Sequence, residues 1–337
     1  MLLYKTNLGG FCVNEEVKMA IEATKKIIDK HFNKTFNQDA VFEGYQQSYL
    51  NTNEKIGSYL NYCDFTNKET ALTVTAGGDH ALNLITNGVL NIDTFDVNKL
   101  TEYVAFGLKF AMISKYNYYE YIAVVEKIMS NDTDKIEILS IISDLLPFMD
   151  NKYNIYWKNI IDYTYRKYQL NPNENTNIID MLFVGPKKIN SITFSNNYLL
   201  NEDFYNKLKM NITKANVTFN IADAQYLHKV FEGKSYDLIL LSNILDYFYK
   251  IYGNNWSYEK LNIFLNKLKT ITNDDGIIYF AYAFLYERFL GYQKVIKKNI
   301  IEYSDIHLSD LNGEEVEVFC TEYEIFRDAV GLLRVKK

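Results

Sequence analysis

Proline is nearly absent from this chain: there are 3 in 337 residues, alongside 3 cysteines, 4 histidines and 15 glycines. Cys12, Cys63 and Cys320 lie far apart, so they form neither a metal knuckle nor a disulfide framework. Their odd number suits a reducing compartment, and a cytoplasmic location is expected. His31, His80, His228 and His307 are equally scattered, so no metal site is expected. No apolar run approaches the ~20 residues of a membrane span; the longest, IIYFAYAFLY at 277–286, reads as a buried strand. The opening MLLYKTNLGGF has one lysine and too short an apolar run for a signal peptide. Positive charge is not in excess either. Lys plus Arg number 36 against 42 Asp plus Glu, a net charge of -6, which argues against a nucleic-acid partner. The basic end Arg334-Val335-Lys336-Lys337 is too short to change that.

What the chain has in plenty is tyrosine (29 residues), which compositional bias explains more simply than an aromatic binding surface. With 48% hydrophobic residues, 337 positions suffice for one large domain, or for one domain with a sizeable insert. Residues 14–32 read as an amphipathic helix: Val17, Ala20, Ile21, Ile27, Ile28 and Phe32 share a face, Asn14 caps it, and Glu15 and Glu16 occupy its first turn. Together with a short helix around NEKIGSYLNYC, it makes residues 1–70 an N-terminal helical cover. After residue 98 the pattern is helical for a long way. Leu100, Tyr103, Val104, Leu108 and Met112 form a stripe, and further helices are predicted at about 118–129, 135–148 and 153–168. Asp134 and Glu137 have the spacing of a capping box, and Pro147 marks a helix end. This block, about 116–175, reads as a helical insert in a domain spanning 71–337. Strand-like runs return at 178–184, 191–194, 217–222 and 236–242. A helix at 257–272, a turn at 273–276 and a strand at 277–284 follow. EVEVFCTEY and GLLRVKK then suggest a closing antiparallel hairpin.

The richest stretch is ALTVTAGGDHALNLITNGVLNIDTFDVN, residues 71–98. An apolar run ends at Ala76-Gly77-Gly78, a helical pattern follows at once, and a second apolar run ends on Asp96. Strand, glycine turn, helix, strand and acid make a nucleoside-binding βαβ unit: the glycines admit a ligand to the backbone and the acid accepts hydrogen bonds from two ribose hydroxyls. Val97 and Asn98, directly after that acid, join it as binding candidates. Asp79 and His80 open the helix. They form either a polar first turn favoured by the helix dipole or, for Asp79, a partner for a ligand's amino group. Asp223 ends the 217–222 strand, where it caps the next helix or reads an adenine amino group together with Ala224. Ser242 and Asn243 directly follow the buried 236–242 run, outside the carboxyl end of a sheet strand where ligands bind; Asp246 and Tyr247 come one turn later.

These segments together resemble class I S-adenosylmethionine (SAM) enzymes. More narrowly, LTVTAGGDHALNLI, DTFDVN with the helix LTEYVAFGLKFAMI, YNYYEYI and YDLILLSNILDYF resemble the SAM:diacylglycerol 3-amino-3-carboxypropyl transferases of betaine-lipid synthesis and their relatives. The resemblance implies an α/β, Rossmann-like, mostly parallel seven-stranded sheet whose seventh strand is antiparallel. It implies SAM at Ala76 to Asp79, ribose contact at Asp96, adenine contact at Asp223, and Ser242-Asn243 near the transferred group. His80 stands where the lipid enzymes lead one to expect Asn, and the chain lacks an obvious amphipathic membrane face.

A sulfonium can be attacked at its methyl group or at the aminocarboxypropyl arm, according to which carbon lies in line with the acceptor. The acceptor is then a small molecule or a lipid. Tyr103, Tyr118, Tyr119 and Tyr247 are candidates to face the sulfonium. Asp246, Glu120 and His80 are candidate bases for a hydroxyl acceptor. The alternatives are a small-molecule methyltransferase, a SAM-binding protein without catalysis and, disfavoured by the missing third glycine, a nicotinamide-dependent enzyme.

Overall fold

The structure is a computed structural model. It describes residues 14–32, 44–52, 54, 56–60, 63–130, 132–171, 182–184, 189–244, 248, 258–280, 294–297, 300–303, 316–323 and 326–336. The chain folds into two compact units: residues up to 53 group with 75–86 and 96–214, and residues 54–74 group with 87–95 and 215 onward.

The first unit is mainly helical. Helix α1 (Glu15–Phe32) has the expected cap, with the Glu16 amide donating to Asn14 Oδ1 at 3.1 Å. The second unit contributes the short α2 (Ile56–Leu60). In the first unit follow α3 (Asp79–Thr86), α4 (Leu100–Glu102), a π-helical stretch Tyr103–Lys109, α5 (Phe110–Lys115), α6 (Tyr118–Met129), α7 (Lys135–Ser143), α8 (Asn151–Leu170), α9 (Ile189–Ser195) and α10 (Glu202–Ile212). Buried Ala20 and Ile28 on α1 and Tyr156, Trp157 and Ile160 on α8 belong to its core. Trp157 Nε1 donates to the Tyr103 carbonyl at 2.9 Å, and its indole occupies the space over Gly107, whose Cβ would meet Nε1 at 3.1 Å. Widened helical turns of this kind concentrate at functional sites.

Two local expectations in this unit are corrected. The capping box forms at Asn117 and Glu120. Asp134 caps α7 alone, because Glu137 pairs instead with Lys127 at 2.6 Å. Residues 191–194, read as a strand from their β-branched content, lie in α9, where tertiary packing overrides propensity. Of the expected 178–184 strand, residues 178–181 lie outside the described residues; Phe183–Val184 pair in parallel with Ser48–Tyr49 as β4 and β1.

The second unit holds the main sheet. Its strands are β2 (Thr70–Val74), β3 (Asn91–Asp96), β5 (Asn216–Ile221), β6 (Tyr236–Leu240), β7 (Thr272–Phe280), β8 (Lys294–Lys297), β9 (Ile300–Tyr303), β10 (Val316–Tyr323) and β11 (Phe326–Arg334), in the spatial order β5-β3-β2-β6-β7-β11-β10-β9-β8. From β3 to β7 the pairings are parallel, as the nearly continuous apolar runs demand of strands covered on both faces. The tail forms the expected hairpin, Tyr323 opposite Phe326, and β11 inserts between β7 and β10, antiparallel to both. Among the described residues the sheet has nine strands rather than seven, because β9 and β8 continue the meander beyond β10. Residues 273–276, expected as a turn, lie within β7, with Asp275 at φ 57.

Between β2 and β6 the strand order reverses direction: the chain passes from β2 outward to β3 and returns to the other side of β2 with β6. Ligands in open α/β sheets bind outside the carboxyl ends of strands at such a switch point. At the opposite ends, Asp237 fixes the register, accepting from the Glu69 and Thr70 amides, the Thr70 hydroxyl and Asn273 Nδ2 at 2.7–3.0 Å. Burial alone would raise its carboxyl; these donors outweigh burial and hold it below the usual range. Leu72, Phe95, Leu227, Ile239, Leu265 and Ile278 are among the buried core of this unit. Helix α11 (Leu227–Val230) and helix α12 (Tyr258–Lys269) complete it.

Candidate functional site

In the first unit the glycine turn and the acid come together. The chain leaves β2, passes Ala76 at φ 41 and Gly78 at φ 87, and enters α3 at Asp79. The Gly78 amide closes the turn onto the Thr75 carbonyl at 2.7 Å, and the Ala76 amide donates to Asp96 Oδ2 at 3.1 Å. A non-glycine residue in the left-handed region is uncommon and costs energy, and such positions collect at binding sites. The other oxygen of Asp96, Oδ1, accepts from the Asn98 amide at 2.9 Å. Enclosure pushes the Asp96 carboxyl up to about 6, against the lowering effect of the Asn98, Ala76 and Val97 amides and the Thr101 hydroxyl.

The two glycines are required for a reason other than ligand approach. A Cβ on Gly77 would stand 3.0 and 3.1 Å from the Tyr49 and Leu50 carbonyl oxygens, and one on Gly78 would stand 2.9 Å from the Ala105 Cβ. Gly78→Ala is accordingly expected to destabilise the chain by about 3 kcal/mol, combining left-handed strain with an overpacked contact. A second substitution, Ala105→Gly, should recover the contact but not the strain. Urea unfolding of the single and double variants checks this.

Asp79 has partners inside the chain. Its side chain is fully buried and has taken an internal ammonium: Lys109 Nζ lies 2.9 Å from Oδ1, with side-chain exposures of 1% and 0% for the lysine and the aspartate. Tyr198 donates its hydroxyl to Oδ1 at 2.7 Å and the Thr52 amide donates to Oδ2 at 2.6 Å. Burial lowers the Lys109 ammonium from its ordinary range, opposed by the Asp79 charge. Asn98 is likewise committed. Its amide nitrogen donates to the Gln46 and Gln47 carbonyls, and its oxygen accepts from the Gln46 and Leu100 amides, all at 3.1–3.2 Å. It straps the segment before β1 to the start of α4 and has no bond left for a ligand. Val97 is exposed, and His80 is buried within α3.

Glu120, a candidate base, is the exposed third residue of α6; its carboxylate accepts from the Asn117 amide at 2.9 Å and serves as a helix cap. Tyr118 donates its hydroxyl to the Leu199 carbonyl, Tyr119 is exposed, and Tyr103 is buried. Asp246 and Tyr247 lie outside the described residues.

In the second unit Asp223 caps the short 3-10 turn Ala224–Tyr226, its Oδ1 accepting from the Gln225 amide at 2.9 Å, and Ala224 is buried. Ser242, two residues beyond β6, is held at φ 55, and Asn243 beside it is exposed. Ser242 donates its hydroxyl to Glu54, which is 4% exposed. Glu54 is the functional candidate that sequence reasoning missed. It lies at the start of the short helix expected around NEKIGSYLNYC, where nothing local marks it for burial, and only the fold shows a buried carboxylate against a serine at positive φ at the carboxyl end of β6.

No protein-family model and no curated protein sequence matches the chain. Among solved structures, two of the rRNA methyltransferase aviRa from Streptomyces viridochromogenes align with it at 10% identity. One has a TM-score of 0.34 and covers 86% of each chain; the other has a TM-score of 0.32 and covers 99% of this chain and 88% of that one. TehB from Haemophilus influenzae aligns at 14% identity and a TM-score of 0.21, covering 41% of this chain and 48% of its own. Likeness at these scores leaves the fold resting on the sheet order and the function on the side chains. Among the described residues no helix is long and apolar enough to cross a membrane, and no group of three His, Cys, Asp or Glu side chains could hold a metal.

Proposed function

We propose that this chain binds S-adenosylmethionine and transfers its 3-amino-3-carboxypropyl group to a small-molecule or lipid acceptor. The observation that carries the reading is Asp96: an enclosed carboxylate at the end of β3, hydrogen-bonded to the left-handed Ala76 of the neighbouring glycine turn. Ribose hydroxyls are donors suited to a carboxylate, and an acid on the second strand of a βαβ unit is where a nucleoside presents them. The strand order, with its reversal between β2 and β6, supports the same class. Ala76 and Asp96 are the proposed cofactor residues of the first unit. Asp223 with Ala224 for the adenine, and Ser242 with Asn243 for the transferred group, are those of the second. Glu54, through its bond to Ser242, is added as a positioning residue. The transferable group and the sulfonium belong to the cofactor; the chain's part is to orient them and exclude water.

The test is product analysis with SAM and a panel of amine, hydroxyl and lipid acceptors. Methylthioadenosine accompanies aminocarboxypropyl transfer. S-adenosylhomocysteine in its place makes the chain a methyltransferase. Tight binding of SAM with neither product makes it a non-catalytic SAM-binding protein, and absence of SAM binding overturns the proposal.

A further inference from the structure

One polar side chain beside the glycine turn is closed off from water and has nothing to bond to. Asn51 is 1% exposed, and neither its Oδ1 nor its Nδ2 has a hydrogen-bond partner. Leaving such a group unsatisfied costs about 1–3 kcal/mol, and each such group in a folded chain calls for an explanation. The residues on either side of it lie against the turn. The Tyr49 and Leu50 carbonyl oxygens stand 3.0 and 3.1 Å from the position of a Gly77 Cβ, and the Thr52 amide donates to Asp79 at 2.6 Å. Thr75, at the entry to the same turn, also has a buried hydroxyl without a partner.

We infer that Asn51 recognises the α-amino-acid end of the adenosyl ligand, the end that carries the 3-amino-3-carboxypropyl group; this rests on the function proposed above. A carboxamide offers one acceptor and a pair of donors side by side, so its complement must present a donor and an acceptor together. An α-ammonium next to an α-carboxylate is such a pair: Oδ1 accepts from the ammonium and Nδ2 donates to the carboxylate. The start of α3 favours the carboxylate, because the helix dipole leaves partial positive charge there. Asp79, for which a ligand's amino group was one of two readings, is paired with Lys109, so a further acceptor is needed for that ammonium. Asn51, between residues whose backbone lies against this turn, offers both an acceptor and a donor without a bond, whereas the Thr75 hydroxyl offers a single oxygen. An adenine edge also pairs a donor with an acceptor, and the experiment separates the two.

Wild-type chain and Asn51→Leu are titrated by calorimetry with S-adenosylhomocysteine, which carries the amino-acid end, and with methylthioadenosine, which has the same nucleoside and thioether but lacks it. Asn51→Leu is expected to weaken S-adenosylhomocysteine about 10- to 100-fold, the worth of a hydrogen bond to a charged group, and methylthioadenosine less than about twofold on the same scale. Retained methylthioadenosine binding shows in the same experiment that the variant is folded. Should Asn51→Leu not fold, Asn51→Asp is read instead: its new charge opposes the α-carboxylate, and the same selective loss is expected. Equal weakening of both compounds, the result for an adenine or ribose contact, overturns the inference. So does no weakening of either, the result for an amide satisfied by a water molecule alone. Binding of neither compound by the wild-type chain is a different failure: it removes the proposed function, and the role of Asn51 with it.

Discussion

Lys109→Met is expected to destabilise the chain by about 3–5 kcal/mol, the cost of leaving one member of a buried ion pair without its counter-charge. The lysine and aspartate are both excluded from solvent, so neither can recover its loss by turning to water. Without the ammonium, Asp79 keeps only neutral donors, the Tyr198 hydroxyl and the Thr52 amide, around a full negative charge. Met preserves most of the volume of the lysine stem, so little of the loss is packing. Lys109→Met combined with Asp79→Leu should recover most of the stability, because exchanging a whole buried pair for apolar groups is close to neutral. Urea unfolding of the wild type, the single variant and the double variant decides the matter. A loss below about 1 kcal/mol, the range of exposed pairs, would show that the pair is solvated. The effect reaches the candidate site, since this one carboxylate ties the π stretch, the Tyr198 turn and Thr52 to the start of α3.

The same pair marks where sequence reading stops. The glycine turn, the helix after it and the acid at residue 96 were legible because each has a local signature: apolar runs of strand length, a period near 3.6, and an acid where an apolar run ends. The closing hairpin was legible for the same reason, and the helices at 118–129 and 153–168 fall at or close to α6 and α8. The internal partner of Asp79 was not legible because it is 30 residues away, on a helix whose phase the sequence does not reveal. A 3.6-residue period puts Leu108 and Met112 on the buried stripe and leaves Lys109 beside it. Bonding from i to i+5 through Tyr103–Lys109 shifts that phase, and Lys109 is buried with Leu108. Asn51 falls in a stretch without period and Glu54 at the edge of a short predicted helix, and in both places burial is decided by distant packing. The division into two units was also out of reach, since residues 75–86 and 96–214 join the N-terminal helix through contacts that no local pattern announces.

Affinity for adenosyl compounds is expected to rise with pH through about 6 and then level off, and to fall by about 100-fold or more in Asp96→Ala. The second figure is the loss of two hydrogen bonds from ribose hydroxyls to a charged acceptor, each worth about 1.5–3 kcal/mol. The first follows from the carboxyl, which enclosure has pushed up to about 6. In the unfolded chain it titrates near the ordinary ~3.9. Folding alone therefore favours the protonated acid: the group's contribution to stability is complete below about pH 4 and is lost as pH rises through about 6. Ligand binding has the opposite sign, because two hydroxyls that donate to Asp96 need the carboxylate. Between about pH 4 and 6 each unit of acid should weaken binding by up to about tenfold, while the free chain gains stability from this group. Asp96→Asn removes the titration, but its NH2 would face one of the amides of Ala76 and Asn98 that now donate to the carboxylate. That variant should lose stability as well as affinity, so the wild-type pH profile is the cleaner measurement. Calorimetry with S-adenosylhomocysteine from pH 5 to 8, set beside Asp96→Ala at pH 7, tests both statements. A flat profile together with undiminished binding by the variant would remove Asp96 from the site, and with it the nucleoside reading of the whole βαβ unit.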